Sequence, residues 1–287
     1  MIIIPLLFLL IFKYGPMLGN IIAFRRYKPS GSAWGVDWVG LKYFKMFIGD
    51  KIFWNAFTNT LVLSFGSLLV NMPIAIIFAL LFNELSHKFI KRVVQSSTFF
   101  PSLLSTVVII GIAIEVMSPS TGIINHLLQS VGLIKEPIYF VNDPKYYRII
   151  YILTATWKST GANAIIYIAA LSNVDLTLYD AAMVDGANRW KQTWHITLPA
   201  MKNVISVTLI LSLGRVLTLG TEKTLLLMTP NNSGVSEIIS TYVYNIGIVG
   251  NNYSYAAAIG LFNAAVGLIL VLSTRAISRK IDDDAIL

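Results

Sequence analysis

The chain has 287 residues, 55% of them hydrophobic and 13% charged, with a mean hydropathy of +0.69. Soluble domains carry about 25% charged residues, so the composition excludes an ordinary soluble domain and indicates an all-α integral membrane protein. The net charge of +8 sits at the ends of apolar runs rather than in one patch, which argues for anionic lipid and against nucleic acid; the absence of cysteine excludes disulfides and thiol chemistry.

A helix needs about 20 apolar residues to cross roughly 30 Å of hydrocarbon. The first such run covers residues 2–24. No basic segment precedes it and no small-residue cleavage site follows it, so it reads as a span rather than a signal peptide. Arg25, Arg26 and Lys28 lead into Trp38-Val39-Gly40-Leu41-Lys42-Tyr43-Phe44, an aromatic segment suited to the bilayer surface. The second span covers 56–82, and a loop with His87, Lys88, Lys91 and Arg92 follows. The third covers 95–117, with a kink predicted at Pro101. Residues 119–148 form a longer loop, broken by Gly122, Gly132, Pro137 and Pro144, with room for two short amphipathic pieces. The fourth span covers 149–171, the fifth 204–228 and the sixth 256–272. Residues 230–252 read as an Asn- and Gly-rich loop, and a tail with Arg275, Arg279, Lys280 and Asp282 to Asp284 ends the chain. The expectation is one six-helix domain over 1–287, with no linker.

The polar stretch between the fourth and fifth spans, 173–202, has its own grammar. Asp175 suits the N-cap of a helix, and Leu176, Tyr179 and Met183 recur at helical spacing. Asp180, Ala181 and Ala182 leave little side-chain bulk, so another surface can approach the backbone. Asp185-Gly186 is a turn signal that stops the helix. Trp190, Trp194 and Ile196 suggest a second short helix, and Pro199 fits the first turn of the next span.

These residues carry a resemblance. Asp180-Ala181-Ala182, three residues, Gly186, nine residues and then Ile196-Thr197-Leu198-Pro199 resemble the E-A-A…G…I-x-L-P loop of binding-protein-dependent ABC importer permeases. Asp180 stands where that family usually has Glu, the same charge on a shorter arm. The resemblance implies that Asp180, Ala181, Ala182, Asp185, Gly186, Ile196, Leu198 and Pro199 form a coupling helix that docks on an ATPase subunit. The early W-V-G-L-x-x-F segment, Gly220-Thr221-Glu222-Lys223, Thr241 to Gly247 and Ser278-Arg279-Lys280 are similar to the carbohydrate-uptake branch, in particular permeases for oligosaccharides and polysaccharide fragments in Gram-positive bacteria.

Nothing in the chain reads as an enzyme. It contains no G-x-x-x-x-G-K-S/T phosphate loop, no H-E-x-x-H metal spacing among His87, His126 and His195, and no G-x-S-x-G serine. No cofactor is expected in this chain; ATP and magnesium belong to the implied ATPase. Arg215 falls near the middle of the expected fifth span, where a charge costs about 2.5–3.5 kcal/mol even on lenient scales. Glu222 lies two helical turns on, along the same expected face, with Lys223 beside it. They read either as a polar lining of a translocation path or as a structural ion pair. Trp157, Lys158 and Asn163 in the fourth span are weaker candidates for that path.

The resemblance implies a permease subunit of a type I ABC importer for sugars. Its expected partners are a second homologous permease, two ATPase subunits and an extracellular solute-binding lipoprotein. The two sides of the chain carry equal numbers of Lys and Arg, so the positive-inside rule is silent. Both termini are placed in the cytoplasm of a bacterial cell because the coupling loop must meet a cytoplasmic ATPase. Two other readings stay open at the level of sequence. One is the same machine carrying an amino acid or peptide; the other is an ion-coupled secondary carrier.

Overall fold

The computed structural model describes residues 2–281. Among them the regular structure is helical, apart from one isolated antiparallel bridge between Arg25 and Trp38. Helix α1 is Ile3–Phe24 and α2 is Lys42–Ile48. Helix α3 is Lys51–Asn83, starting before the predicted 56 because Asp50 caps it, its Oδ1 accepting from the Ile52 N–H at 2.8 Å. Helix α4 is Lys88–Leu103, α5 is Thr106–Val116 and α6 is Ile123–Ser130. Helix α7 is Pro144–Leu171, capped by Asp143 with Pro144 in the first turn. Helix α8 is Leu176–Val184, α9 is Arg189–Leu213 and α10 is Thr221–Leu227. Helix α11 is Ser233–Ser236, α12 is Ile239–Val249 and α13 is Tyr253–Ile281. The tail containing Asp282 to Asp284 lies outside the described residues.

Four helices, α1, α3, α9 and the stretch Tyr253–Thr274 of α13, are long and apolar enough to cross a membrane. The count reaches six if α4 with α5, and α7 with α8, each form one bent span. The long pair α3 and α7 forms the frame, and three apolar clusters follow one another along α3. Phe53 and Ala56 pack with Phe47, Tyr242 and Ile259 near its start. Leu63 packs with Ile110, Tyr147 and Leu227 in the middle. Ala75 and Ala79 pack with Ala164, Tyr167 and Met201 toward its end.

Four expectations need correction. The predicted third span, 95–117, is two helices meeting at 102°. Pro101 ends the first within a turn, Leu104 turns extended, and Ser105 caps the second by accepting from the Val108 N–H at 3.3 Å. The predicted fifth span, 204–228, instead begins at Arg189 and ends at Leu213. A π-turn over Thr193–Thr197 passes the chain into Pro199 without a break. Its wider hydrogen-bond spacing accommodates a residue that lacks an N–H. Beyond Leu213 the helix stops, and residues 214–220 form an irregular segment. This segment is held against the centre of α3, where the Ser64 hydroxyl donates to the Val216 carbonyl. Arg215 and Glu222 therefore share no helical face. Finally, the expected Asn- and Gly-rich loop 230–252 is mostly helical, as α11 and α12. Buried Asn232 organises its entry by donating to the Val141 and Leu227 carbonyls, each at 2.9 Å. The 119–148 loop contains one helix, α6, where two pieces were expected.

Candidate functional site

Two sites rest on the α3–α7–α9 frame. The first is an elbow at one end of it. Helix α7 turns through 71° into α8, and Asp175 starts α8 by accepting from the Thr177 N–H at 2.9 Å. That bond to the backbone holds the Asp175 carboxyl below its ordinary value of 3.8. A depressed folded pKa contributes stability above the unfolded value, and that stability is lost as pH falls through the lower folded one. At neutral pH the cap is fully formed. Asp175→Ala should speed amide exchange at Thr177 and Leu178, whereas Asp175→Asn should keep it slow; equal exchange in both variants would contradict the cap.

Helix α8 stops at Asp185, and Gly186 turns the chain with φ +76°, a conformation glycine adopts at little cost. The Gly186 N–H donates to the Met183 carbonyl at 3.1 Å and the Ala187 N–H to the Ala182 carbonyl at 2.8 Å. Asn188 then caps α9, accepting from the Lys191 N–H at 2.9 Å. Two further contacts make the elbow a unit with its frame. The Tyr179 and Thr197 hydroxyls are 3.0 Å apart, tying α8 to the π-turn, and Arg189 pairs with Glu84 just past the end of α3. Neither contact is legible from sequence spacing, because each joins residues of separate elements.

Asp180, Ala181, Asp185, Gly186 and Pro199 are exposed, while Ala182, Ile196 and Leu198 are half-buried. The expected coupling residues are thus divided. Asp180 to Gly186 form the outer surface of the elbow, and Ile196 and Leu198 anchor the helix behind it. Around that surface stand apolar side chains that solvent would not tolerate as a cluster without reason: Leu176, Met183, Trp190 and Val184, the last 88% exposed. Val184 and Leu178 were not singled out in the sequence, where they look like the inward positions of a buried helix.

The second site is a polar cleft of about 380 Å³ beside the α9 break. Ser64 and Asn71 of α3, Asn163 of α7, and Thr208 and Ser212 of α9 line it, with Arg215 at its edge. Hydroxyls and amides in an otherwise apolar bundle are suited to hydrogen-bonding a polyhydroxylated solute. The cleft brings together two of the five sequence candidates, Asn163 and Arg215, and the other three lie outside it. Trp157 is exposed on α7. Lys158 donates to the Thr106 hydroxyl of α5 at 2.9 Å. Glu222 is exposed in the first turn of α10. The cleft's serines and threonines escaped the sequence reading because isolated hydroxyls are common in membrane helices and commonly bond their own carbonyl four residues back, as Thr208 does to Val204 at 2.8 Å.

Residues 46–283 match the family described as binding-protein-dependent transport system inner membrane component. The chain is 40% identical over 287 residues to Protein LplB of Bacillus subtilis, covering 100% of this chain and 90% of that protein. It is 41% identical over 280 residues to the polygalacturonan/rhamnogalacturonan transport system permease protein YteP of the same organism, covering 98% and 87%. Among solved structures, it superposes on a chain of a bacterial alginate ABC transporter in complex with an alginate pentasaccharide-bound periplasmic protein. The TM-score is 0.90 at 36% identity, covering 98% of this chain and 93% of that one.

Proposed function

Because this chain belongs to the binding-protein-dependent transport system inner membrane component family, we propose that it works as one half of the translocation pathway of an ATP-driven sugar importer, taking oligosaccharides. The observation that carries this reading is the elbow, a small-residue surface ringed by exposed apolar side chains and fixed to the ends of α3, α7 and α9. A body that docks there can move the frame as a unit. A second homologous permease completes the pathway, two ATPase subunits engage the two elbows, and an extracellular solute-binding protein delivers the sugar. Both termini and the elbow face the cytoplasm.

In this mechanism ATP draws the ATPase subunits together and carries the elbows with them. The Tyr179–Thr197 and Arg189–Glu84 contacts transmit the motion to α9 and α3. The α3–α7–α9 cleft then alternates between the two sides of the membrane by rigid-body rocking, and hydrolysis resets it. The break after Leu213 supports this reading, since interrupted helices near mid-bilayer are where transporters expose backbone and polar groups to a solute.

The test is uptake by the complete importer in proteoliposomes. Oligosaccharide accumulation that needs ATP and survives an uncoupler supports the reading; accumulation that the uncoupler abolishes supports an ion-coupled carrier instead. A cognate binding protein that takes amino acids and ignores sugars would overturn the choice of solute. The Arg215 side chain lies exposed at the cleft edge, so Arg215→Ala should reduce uptake far more than it reduces the yield of assembled complex. A matching loss of complex would make Arg215 a structural residue.

A further inference from the structure

A groove of about 360 Å³ lies between the end of α3 and the start of α9, apart from the polar cleft. Ile77, Leu80 and Leu81 of α3 form one wall, and Trp190, Thr193 and Thr197 of α9 form the other. The threonines add little polarity, because their hydroxyls are engaged within the chain. Thr193 donates to the Arg189 carbonyl at 2.9 Å, and the Thr197 hydroxyl lies 3.0 Å from that of Tyr179. Ile77 and Leu81 are exposed, so the groove is open along an apolar side. Its polar lining residues, Asn83, Glu84 and Arg189, sit together where α3 stops.

The groove is therefore polarised along its length. Ile77 comes seven residues before Glu84, which places it about 10 Å deeper in the span. At the shallow end basic residues dominate. Residues 83–92 and 189–197 hold Lys88, Lys91, Arg92, Arg189 and Lys191 against one acid, Glu84. Lys91 folds back on α3, its ammonium 5.7 Å from the Phe82 ring centroid. Arg189 pairs with Glu84, yet its side chain is 80% exposed, and a guanidinium has five N–H donors. The acids of the elbow, Asp175, Asp180 and Asp185, do not line the groove.

An apolar trough that ends in a cationic rim matches a molecule with an acyl chain and a negative head. A water-soluble subunit does not reach two turns into a span, and water is a poor cover for Ile77 and Leu81. We propose that this groove binds one anionic phospholipid from the leaflet on the elbow's side of the membrane. The acyl chain lies along Ile77, Leu80 and Leu81. The phosphate meets the N–H groups of Arg189 that Glu84 leaves free, and Trp190 sits at headgroup level. The lipid is no part of the sugar path. It lies against the Arg189–Glu84 contact that ties α9 to α3, and so braces that contact.

The test is native mass spectrometry of the assembled complex, purified through this chain and supplied with phosphatidylglycerol or phosphatidylcholine. The wild type should retain phosphatidylglycerol at least about fivefold more than phosphatidylcholine, the discrimination of about 1 kcal/mol that one nearby basic residue supplies. Leu81→Trp fills the groove from an exposed position, so the complex should assemble with that phosphatidylglycerol lost. Ile77→Trp, also exposed, should give the same loss from the deep end and serves if Leu81→Trp fails to assemble. The proposal is overturned if the two lipids are retained equally, or if both Trp variants keep phosphatidylglycerol as the wild type does. It is also overturned if Leu81→Cys is joined by a short thiol cross-linker to a companion permease or an ATPase, because protein then fills the groove. Lipid selectivity that persists in a complex unable to take up sugar would remove the transport reading and leave this site standing.

Discussion

Gly161→Leu is expected to abolish the assembled transporter. Gly161 lies in α7 where α4 crosses it, and a Cβ there would stand 2.2 Å from the Thr98 carbonyl oxygen and 2.7 Å from the Phe99 nitrogen. Both are backbone atoms, so no side-chain rotation can relieve the clash. The helices must part, which uncovers the packed seam between them. Overpacking a core costs about 1–3 kcal/mol and more where the backbone must shift, a large share of a stability that is typically about 5–15 kcal/mol. Gly161→Ala should show the same loss in weaker form. Gly111→Ala and Gly260→Ala serve as controls, because a Cβ at either meets nothing within 4 Å. The measurement is the yield of monodisperse complex in detergent. Wild-type yield from Gly161→Leu would show that α4 and α7 do not meet as described.

Gly186→Asp should do the reverse, leaving the chain inserted and folded while uptake falls at least about tenfold. A Cβ at Gly186 meets nothing within 4 Å of this chain. The φ of +76° disfavours a side chain by roughly 1–2 kcal/mol, and Asp is among the residues that tolerate the left-handed region best. The fold therefore has little reason to fail. What the new carboxylate does obstruct is any body seated on the elbow, and it places a second charge beside Asp185. Uptake and stimulated ATP hydrolysis should fall together, with the ATPase lost from the purified complex or bound and unresponsive. Unchanged uptake with unchanged stimulation would mean that nothing docks at this turn.

The elbow was legible in the sequence because its determinants are local. The Asp175 cap, the helix through Asp180, Ala181 and Ala182, and the Gly186 turn each depend on neighbours within a few residues, and each has the geometry that its residue types imply. The apolar runs gave most spans for the same reason. The path was harder to read. Arg215 and Glu222 were placed on one helix because apolar residues continue through Leu213, Val216 and Leu217. The helix instead ends where Ser64, 152 residues away, captures the Val216 carbonyl. Helix α12 was hidden because Asn and Gly flank it, while its own residues, including Ile239 and Tyr242, are buried against α3 and α13. The α4–α5 bend follows from Pro101 and Ser105, yet a proline alone does not say whether a membrane helix kinks or breaks. Among the candidates for the path, Asn163 and Arg215 reach the cleft, whereas Lys158 turns instead to the Thr106 hydroxyl of α5, a partner 52 residues away that sequence separation conceals.

The account rests on the elbow being the surface that the energy-supplying subunit grips from inside the cell. The chain has no cysteine, so a single cysteine can be placed there without removing any other. Ala181→Cys sits on the exposed face of α8, between Asp180 and Ala182. In inverted membrane vesicles of the complete importer, a short thiol cross-linker at this position should capture a nucleotide-hydrolysing subunit, with a yield that changes when ATP binds. A cysteine there that captures no such subunit, or that reacts only with reagents added to the outside of intact cells, would contradict the account.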